Sequence, residues 1–469
     1  MDNAKKGLLS GTFVYLIGNA AVALLQLIML RFITGNVNSE GYGYYDTIVK
    51  IDNLITPMLT LQISDAVFRF VLKGDNKDKI KAITNGSFII IIGIILTEFG
   101  VAIIGKFFIA FPHSFLVALY IISTNIFSFY QKLARAVGAN LSYVKSNLIK
   151  AFLYLVLQVV LIYYFKLKVE SLFIATILST TFCLFYLEWK IKARKRIDIK
   201  AINLSYLKKM LIYSIPLVPN TMLWWFSSSV NSLYISTKIG LDSNGIYSVA
   251  GKFSSIIVMV TSVFNLAWQE SAIKEYGSDS GKTFYNEVYK MFYRLICCAV
   301  IVCIPIMQLF LPHMIDVSYY DAIRYAPILV IGAGLSSTYG FFGQMYGAIG
   351  KTKGAAITTF YGVFTNLLII LIFTKYIGLW APTLAVVCSS FVIMIMRYNQ
   401  FKDEMKLSIT KELLFLVLLI VLIIPIYYLN NSILSIFVLL FGVGISLYIN
   451  KSLINDIKTI IKNKLNNVS

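Results

Sequence analysis

Charged residues are scarce in this sequence, and negative charge is the scarcer sign. Only 14% of the 469 residues are charged, with 42 Lys and Arg against 22 Asp and Glu. Hydrophobic residues make up 58% of the chain, and the mean hydropathy is +0.76. This balance excludes an ordinary soluble globular protein and indicates an all-α, polytopic membrane protein.

The sequence also lacks patterns for metal binding, disulfide formation and acid–base catalysis. Its five cysteines lie inside apolar runs without a CxxC pair, and it contains only two histidines. Gly350-Lys351-Thr352 resembles the end of a phosphate-binding loop, but Met345 occupies the position of the required first glycine. We therefore expect a carrier that is not an enzyme and uses no cofactor, metal or ATP.

The apolar runs predict about fourteen transmembrane helices, because a bilayer requires about 20 apolar residues per span. The predicted spans are 8–33, 43–71, 83–105, 114–137, 146–165, 168–188, 209–236, 244–270, 286–311, 320–347, 354–375, 378–398, 412–430 and 432–449.

The charges of the loops between these spans predict the orientation. With both termini on one side, that side collects roughly 30 Lys and Arg, against about five in the opposite loops. The basic side includes the cluster 190–200 and the C-terminal tail. Both termini are therefore predicted to be cytoplasmic, and the net charge of +20 requires no nucleic acid partner.

The basic cluster separates two blocks of six predicted helices. We expect an N-terminal lobe (1–200), a C-terminal lobe (201–405), and an extra helix pair with a basic tail (406–469). A six-helix unit ends on the side where it begins, so a duplicated unit gives parallel repeats. The two lobes are predicted to surround a central cationic cavity.

A short internal repeat marks the second helix of each lobe. Gly43-Tyr-Tyr-Asp-Thr-Ile-Val-Lys50 recurs as Gly245-Ile-Tyr-Ser-Val-Ala-Gly-Lys252, which places Gly, Tyr and Lys in one register. Each lysine would lie roughly 10 Å below the membrane edge, at about 1.5 Å per residue. Charge at that depth is rare unless it faces water, a partner or a substrate, so the two lysines predict one cation from each wall of a cavity.

Three of the other charged residues leave alternatives open. Lys50 either binds substrate, or pairs with Asp46 four residues earlier on the same helix face, or extends outward to the membrane surface. Arg31 either lines the same cavity or anchors the first helix. Glu98 is a candidate for ion coupling, together with Asp46 and Asp52, or it is simply a buried neutral carboxyl. Arg324 beside Asp321 indicates a local ion pair or an anchor.

The predicted seventh helix contains Pro216 and Pro219 near its cytoplasmic end. Because each proline removes a backbone donor, we expect a bend there, as either a gating hinge or a static kink. Trp224 and Trp225 follow; they stack on sugar rings in one interpretation and serve as packing or interfacial anchors in the other.

Four features together resemble the Wzx-type polysaccharide flippases of the multidrug/oligosaccharidyl-lipid/polysaccharide exporter superfamily. They are the Gly-Tyr start of the second helix, the Ser-Ile-Pro-x-x-Pro segment from Ser214, the second repeat copy, and Ala-Trp-Gln-Glu at 267–270. One departure is that Asn231-Ser232 stands where many members carry Asp-Arg.

The resemblance implies a flippase that moves undecaprenyl-pyrophosphate-linked oligosaccharides to the outer leaflet of a bacterial plasma membrane. Lys50 and Lys252, with Arg31, Tyr45, Tyr247 and the two tryptophans, would then bind substrate. Polysaccharide polymerase and glycosyltransferases would be further partners, alongside membrane lipids.

Three other functions compete with this interpretation. A cation-coupled multidrug antiporter of the same superfamily commonly uses an acid in the first helix, and this first helix has none. A lipid II flippase has a similar anionic cargo, and the sequence separates it poorly. A membrane scaffold without transport activity would need no intramembrane lysines.

Overall fold

The structure is a computed structural model that describes residues 29–107, 113–275, 281–349 and 352–451. These residues form helices and connecting turns, with no strand among them. Residues 29–36 are helical and are called α1. The remaining helices are α2 (Ser39–Leu59), α3 (Ile63–Lys73), α4 (Asn76–Phe107), α5 (Ser114–Ala136), α6 (Asn140–Tyr163), α7 (Val169–Ile191), α8 (Leu204–Ser214), α9 (Leu217–Lys238), α10 (Leu241–Gly251), α11 (Ser254–Glu275), α12 (Gly281–Met314), α13 (Ala322–Ile349), α14 (Thr352–Ile377), α15 (Trp380–Phe401), α16 (Lys411–Tyr428) and α17 (Ser432–Ile449).

The predicted fold class is confirmed. Ten helices of the described ranges are long and apolar enough to cross a membrane, and the bent pair α2 and α3 makes eleven if the two helices form one broken span. Each of these falls on a predicted span. Most of the predicted first span, 8–33, lies outside the described residues, and the predicted seventh and eighth spans are each divided into two helices.

The prediction of an unbroken helix over 43–71 is wrong. Helix α2 ends at Leu59 and α3 begins at Ile63, with a bend of 61° between them. Pro57 removes a backbone donor just before the break. Leu61 and Gln62 then adopt left-handed backbone angles, and the buried Gln62 side chain donates to Thr221 Oγ1 at 2.8 Å.

The predicted helix over 244–270 is also interrupted. Helix α10 ends at Gly251, and α11 begins at Ser254 after a turn at Lys252 and Phe253. Glycine weakens a helix because it loses more backbone entropy than other residues, which gives a local reason for the break. Lys252 therefore lies at a helix junction and not seven residues inside a continuous helix.

The chain divides into two compact units, 1–248 and 249–469, so the division falls within α10. This is a division by spatial contacts, whereas the lobes proposed above follow a sequence repeat; the lobe boundaries remain a prediction. The core of unit 1 joins α3, α4, α5, α7 and α8 around side chains such as Ile63, Ile83, Leu133 and Met210.

Unit 2 is built around an aromatic stack. Trp268 lies parallel to Phe341, with ring centroids 4.6 Å apart, and Phe341 also stacks on Phe292 at 5.4 Å. Helices α16 and α17 pack on α12. Only a small part of α17 is buried, as expected for a helix that faces lipid. Arg324 pairs with Asp321 at 3.5 Å, which confirms the predicted local pair.

Candidate functional site

The two repeat glycines meet each other's helices in a reciprocal contact. A β-carbon on Gly43 would overlap the carbonyl oxygen of Leu241, and one on Gly245 would overlap the carbonyl oxygen of Ser39. Ser39 and Leu241 are themselves repeat counterparts, each four residues before its glycine. A contact in which each copy presents the same position to the other is the pattern of a two-fold axis. Glycine is required because the two backbones approach closely.

A polar seam continues from this contact between the repeats: Thr47, Ser236 and Asn244 are buried in it, and Asp46 and Ser248 are half-buried. Asp46 Oδ2 accepts from Ser248 Oγ at 2.8 Å and from Asn244 Nδ2 at 3.3 Å. Asn244 Nδ2 also approaches Thr47 Oγ1 at 3.1 Å, and Thr47 Oγ1 bonds Ser236 Oγ at 2.5 Å. Asp46 and Ser248 occupy equivalent positions of the two repeat copies. Their hydrogen bond is therefore related to the glycine contact by the same two-fold symmetry.

Lys50 lies one helical turn beyond Asp46 on α2 and is half-buried. It forms no ion pair with Asp46 or with any other carboxylate in the described ranges. Asp46 instead accepts hydrogen bonds across the seam. The Asp46 carboxylate therefore bonds partners other than Lys50 in the described ranges, and a role of Lys50 in substrate binding remains a prediction.

Lys252 occupies the turn between α10 and α11 and is also half-buried. Its backbone N–H donates to Val249 O at 3.1 Å, and its carbonyl accepts from Ser255 Oγ at 2.5 Å. Each repeat lysine thus lies four residues after a seam residue, Asp46 or Ser248, in sequence. Lys50 extends from a helix, whereas Lys252 extends from the junction between two helices.

The hydroxyl of each repeat tyrosine, Tyr45 and Tyr247, forms a hydrogen bond with a side chain of another helix. The Tyr45 hydroxyl lies 3.2 Å from Thr176 Oγ1, and its ring packs edge-on to Phe173 with centroids 5.1 Å apart. The Tyr247 hydroxyl accepts from Asn231 Nδ2 at 3.3 Å. Asn231 is one of the two residues that depart from the Asp-Arg pair of many flippases, and here it positions a repeat tyrosine.

Trp225 ties α9 to α2. Its indole Nε1 donates to the carbonyl of Lys50 at 2.8 Å, and only 5% of the residue is exposed. The burial and the hydrogen bond are compatible with a packing anchor, and stacking of Trp225 on a sugar remains a prediction. The side chain of Trp224 lies outside the described part of the structure. Arg31 is exposed on α1.

Asp52 borders a polar cavity of about 140 Å³ inside unit 1. Only 6% of Asp52 is exposed, and Oδ1 accepts from Thr56 Oγ1 at 2.7 Å and Asn125 Nδ2 at 2.9 Å. The cavity has room for several water molecules, at about 30 Å³ each. Glu98 on α4 has one carboxyl oxygen that is buried without a hydrogen-bond partner. The ion-coupling role of these acids remains a proposal.

The helix interruption at Ile215 and Pro216 falls where the two prolines predict a bend. Helix α8 ends at Ser214 and α9 begins at Leu217, with Pro219 in its first turn. The break positions α9, which carries Trp225 and Asn231. Whether Pro216 and Pro219 act as a gating hinge remains a prediction.

Sequence reasoning missed a buried arginine in unit 2. Arg397 on α15 is 5% exposed, and it donates to Thr358 Oγ1 at 3.0 Å, Thr359 Oγ1 at 3.0 Å and Tyr339 O at 2.8 Å. These bonds join α13, α14 and α15. The signal in the sequence was an arginine at the end of the predicted span 378–398, close enough to the edge to resemble a simple anchor.

The helices form the fold of known membrane transporters. A structure of the lipid II flippase MurJ in an inward closed conformation matches 96% of this chain and 99% of its own, at 14% identity and a TM-score of 0.70. An inward-facing multidrug resistance MATE family transporter of the MOP superfamily matches 82% of this chain and 94% of its own, at 15% identity and a TM-score of 0.67. A MATE structure in the straight conformation matches 86% and 96%, at 17% identity and a TM-score of 0.59. The class is therefore a multi-pass α-helical membrane protein of the MATE/MurJ fold.

Residues 8–268, more than half of the chain, match the family described as polysaccharide biosynthesis protein. The chain belongs to this family of flippases in the multidrug/oligosaccharidyl-lipid/polysaccharide exporter superfamily, which confirms the resemblance seen in its motifs. No curated protein matches the sequence.

Proposed function

We infer that this flippase moves undecaprenyl-pyrophosphate-linked oligosaccharide units from the inner to the outer leaflet of a bacterial plasma membrane. The exported units would serve the synthesis of capsule, exopolysaccharide or an O-antigen-like polysaccharide. The observation that carries the proposal is Lys50: an intramembrane cation whose nearest acid in sequence, Asp46, bonds Ser248 and Asn244 instead.

A pyrophosphate gives a physical reason for such a lysine and for its repeat counterpart, Lys252. A polyanion that leaves water needs cationic, hydrogen-bonding partners, and charge-assisted bonds to phosphate are among the strongest that side chains make. The Lys50 ammonium is free of internal ion pairs in the described ranges. Lys252 follows a helix end, where its side chain is only half-buried. The repeat tyrosines Tyr45 and Tyr247, each five residues before its lysine in sequence, would contact the sugar or diphosphate.

A lipid II flippase remains the second candidate, because it shares the same anionic carrier chemistry. The two functions differ only in the sugar and peptide attached to the diphosphate. Lysines that bind the diphosphate would not distinguish these attached groups. A multidrug antiporter for cationic drugs is less compatible, because an unpaired lysine would repel a cationic cargo. Coupling to a proton or sodium gradient through Asp52 or Glu98 would supply the driving force without ATP.

Deletion of the gene tests the proposal directly. We expect loss of surface polysaccharide and accumulation of the lipid-linked oligosaccharide on the cytoplasmic leaflet, because its diphosphate and sugars cannot cross the bilayer unaided. The measurement is the accessibility of the precursor to a membrane-impermeant sugar-modifying reagent in intact cells. Restored export from a plasmid copy is the control. If the precursor reaches the outer leaflet in a deletion strain without another flippase, the proposal fails. If lipid II accumulates inside instead, the second candidate is correct.

Cysteine labelling tests the predicted orientation. In a background without the native cysteines, His313→Cys should react with an impermeant maleimide added to intact cells, whereas Lys195→Cys should react only after the membrane is opened. Both positions are exposed in the structure, so a missing reaction reflects the membrane side and not burial. The reverse labelling pattern would place both termini outside and contradict the loop-charge argument.

A further inference from the structure

A second basic site lies in unit 1, away from the repeat residues. An open pocket of about 570 Å³ is bordered by α3, the first turn of α4, and α8. The lining residues that define this connector pocket are Arg69, Phe70, Asp78, Tyr206, Lys209 and Tyr213.

Aromatic rings form the walls of the connector pocket. The Arg69 guanidinium lies over the Tyr213 ring, 4.3 Å from its centroid. Phe70 packs edge-on to Tyr206 and Tyr213, with centroids 5.7 and 6.4 Å away. The Tyr206 hydroxyl donates to the backbone carbonyl of Asp78 at 3.3 Å, which fixes α8 against α4. These contacts hold the ring positions, and the two cations of the lining, Arg69 and Lys209, are exposed.

The charges of the pocket favour an anion. Arg69 and Lys209 are both exposed, and Lys81 lies over the Tyr206 ring at 6.0 Å. One carboxylate, that of Asp78, lies in the same lining. The lining itself holds two cations and one acid, and the neighbours of Tyr206 add one of each, Lys81 and Asp75, so the balance stays positive by one charge. Neither Arg69 nor Lys209 forms an ion pair with a carboxylate of the described residues.

The segment beside the pocket has the composition of a membrane-surface segment. Apolar side chains are exposed at Ile199 (79%), Leu204 (79%) and Ile212 (64%), and further ones at Ile197 and Ile202. Basic residues alternate with them through the cluster 190–200 and at 208–209. Single exposed apolar residues are ordinary, but such a series interleaved with lysine and arginine is typical of segments that lie in the headgroup region.

We propose that the connector pocket binds the phosphate group of a lipid headgroup in the cytoplasmic leaflet. Arg69 and Lys209 supply the charge-assisted hydrogen bonds to phosphate oxygens, and the aromatic walls contact the upper part of the lipid chain. The phosphate has two sources in this membrane: an anionic glycerophospholipid, or the diphosphate of a lipid-linked substrate that is held before transport. The second source rests on the function proposed above, whereas the first does not.

Native mass spectrometry of the purified full-length protein tests this pocket. The probes are phosphatidylglycerol, undecaprenyl pyrophosphate without sugar, and diacylglycerol as a lipid without phosphate. We expect the wild type to retain at least one of the two phosphate lipids and not diacylglycerol. The Arg69→Gln/Lys209→Gln variant should bind the retained phosphate lipid about 25-fold more weakly, at roughly fivefold per cation near the membrane surface.

The matched control is Lys195→Gln/Lys208→Gln, which removes two exposed positive charges from the same surface outside the pocket. It should retain wild-type binding. A loss confined to undecaprenyl pyrophosphate assigns the pocket to the transported lipid, and a loss confined to phosphatidylglycerol assigns it to a bulk lipid. Equal loss in both double variants, or no loss in either, overturns the proposal. Lys209→Gln alone keeps the Arg69 and Tyr213 contact, so it separates lost binding from lost folding.

Discussion

Alanine at both Lys50 and Lys252 should abolish polysaccharide export while the protein remains inserted in the membrane. Loss of a charged partner to a desolvated phosphate costs on the order of 2 to 5 kcal/mol, by analogy with buried charge pairs at interfaces. Each single alanine variant should therefore impair export strongly. The measurement is surface polysaccharide in a deletion strain that expresses the variants at matched levels.

Folding should survive Lys50→Ala, because Lys50 forms no ion pair with a carboxylate of the described residues and its removal relieves a desolvation penalty. Arginine at either position should retain more export than alanine or glutamate, although arginine is larger and differently hydrated. Asp46→Asn is an informative comparison: it leaves Lys50 intact but weakens the bonds from Ser248 and Asn244. We expect it to change stability more than substrate binding. Full export by the double alanine variant would exclude the lysines from the mechanism.

The sequence predicts the spans well because their signal is local. A membrane helix must satisfy its own backbone, so the length of an apolar run is nearly sufficient to place it. Ten predicted spans coincide with single helices of the described ranges. The repeat was also visible in the sequence at Gly43 and Gly245. The sequence did not predict that these glycines form a reciprocal backbone contact, because the contact joins two helices far apart in the chain.

Features that depend on contacts between helices could not be predicted from the length of apolar runs. The i, i+4 spacing allows Asp46 to pair with Lys50, yet Asn244 and Ser248 are the partners it meets in the fold. The break after α2 includes a left-handed Gln62, a conformation that no local motif predicts and that a bond to Thr221 supports. The length of an apolar run predicts neither the hydrogen-bond partners of Asp46 nor the backbone conformation of Gln62.

Alanine at Gly43 should destabilise the protein, although the same change in an ordinary helix would stabilise it by about 1 kcal/mol. The new β-carbon would overlap the Leu241 carbonyl and lie 2.7 Å from the Gly245 backbone nitrogen. Because these neighbours are backbone atoms, α2 and α10 must separate, and that movement would also stretch the bonds of the seam. Overpacking of this kind costs typically 1 to 3 kcal/mol.

Gly245→Ala should have a similar effect, since its β-carbon would overlap the Ser39 carbonyl in the reciprocal contact. The control is Gly444→Ala inside α17, because a β-carbon on Gly444 has no heavy atom within 4 Å. Thermal unfolding of the purified variants would measure the difference, with export in the deletion strain as a second readout. Because one helix crossing is disturbed in both cases, the Gly43→Ala/Gly245→Ala variant should lose less stability than the sum of the single losses. If Gly43→Ala is as stable as Gly444→Ala, the two repeats do not cross at their glycines, and the two-fold relationship between them is wrong.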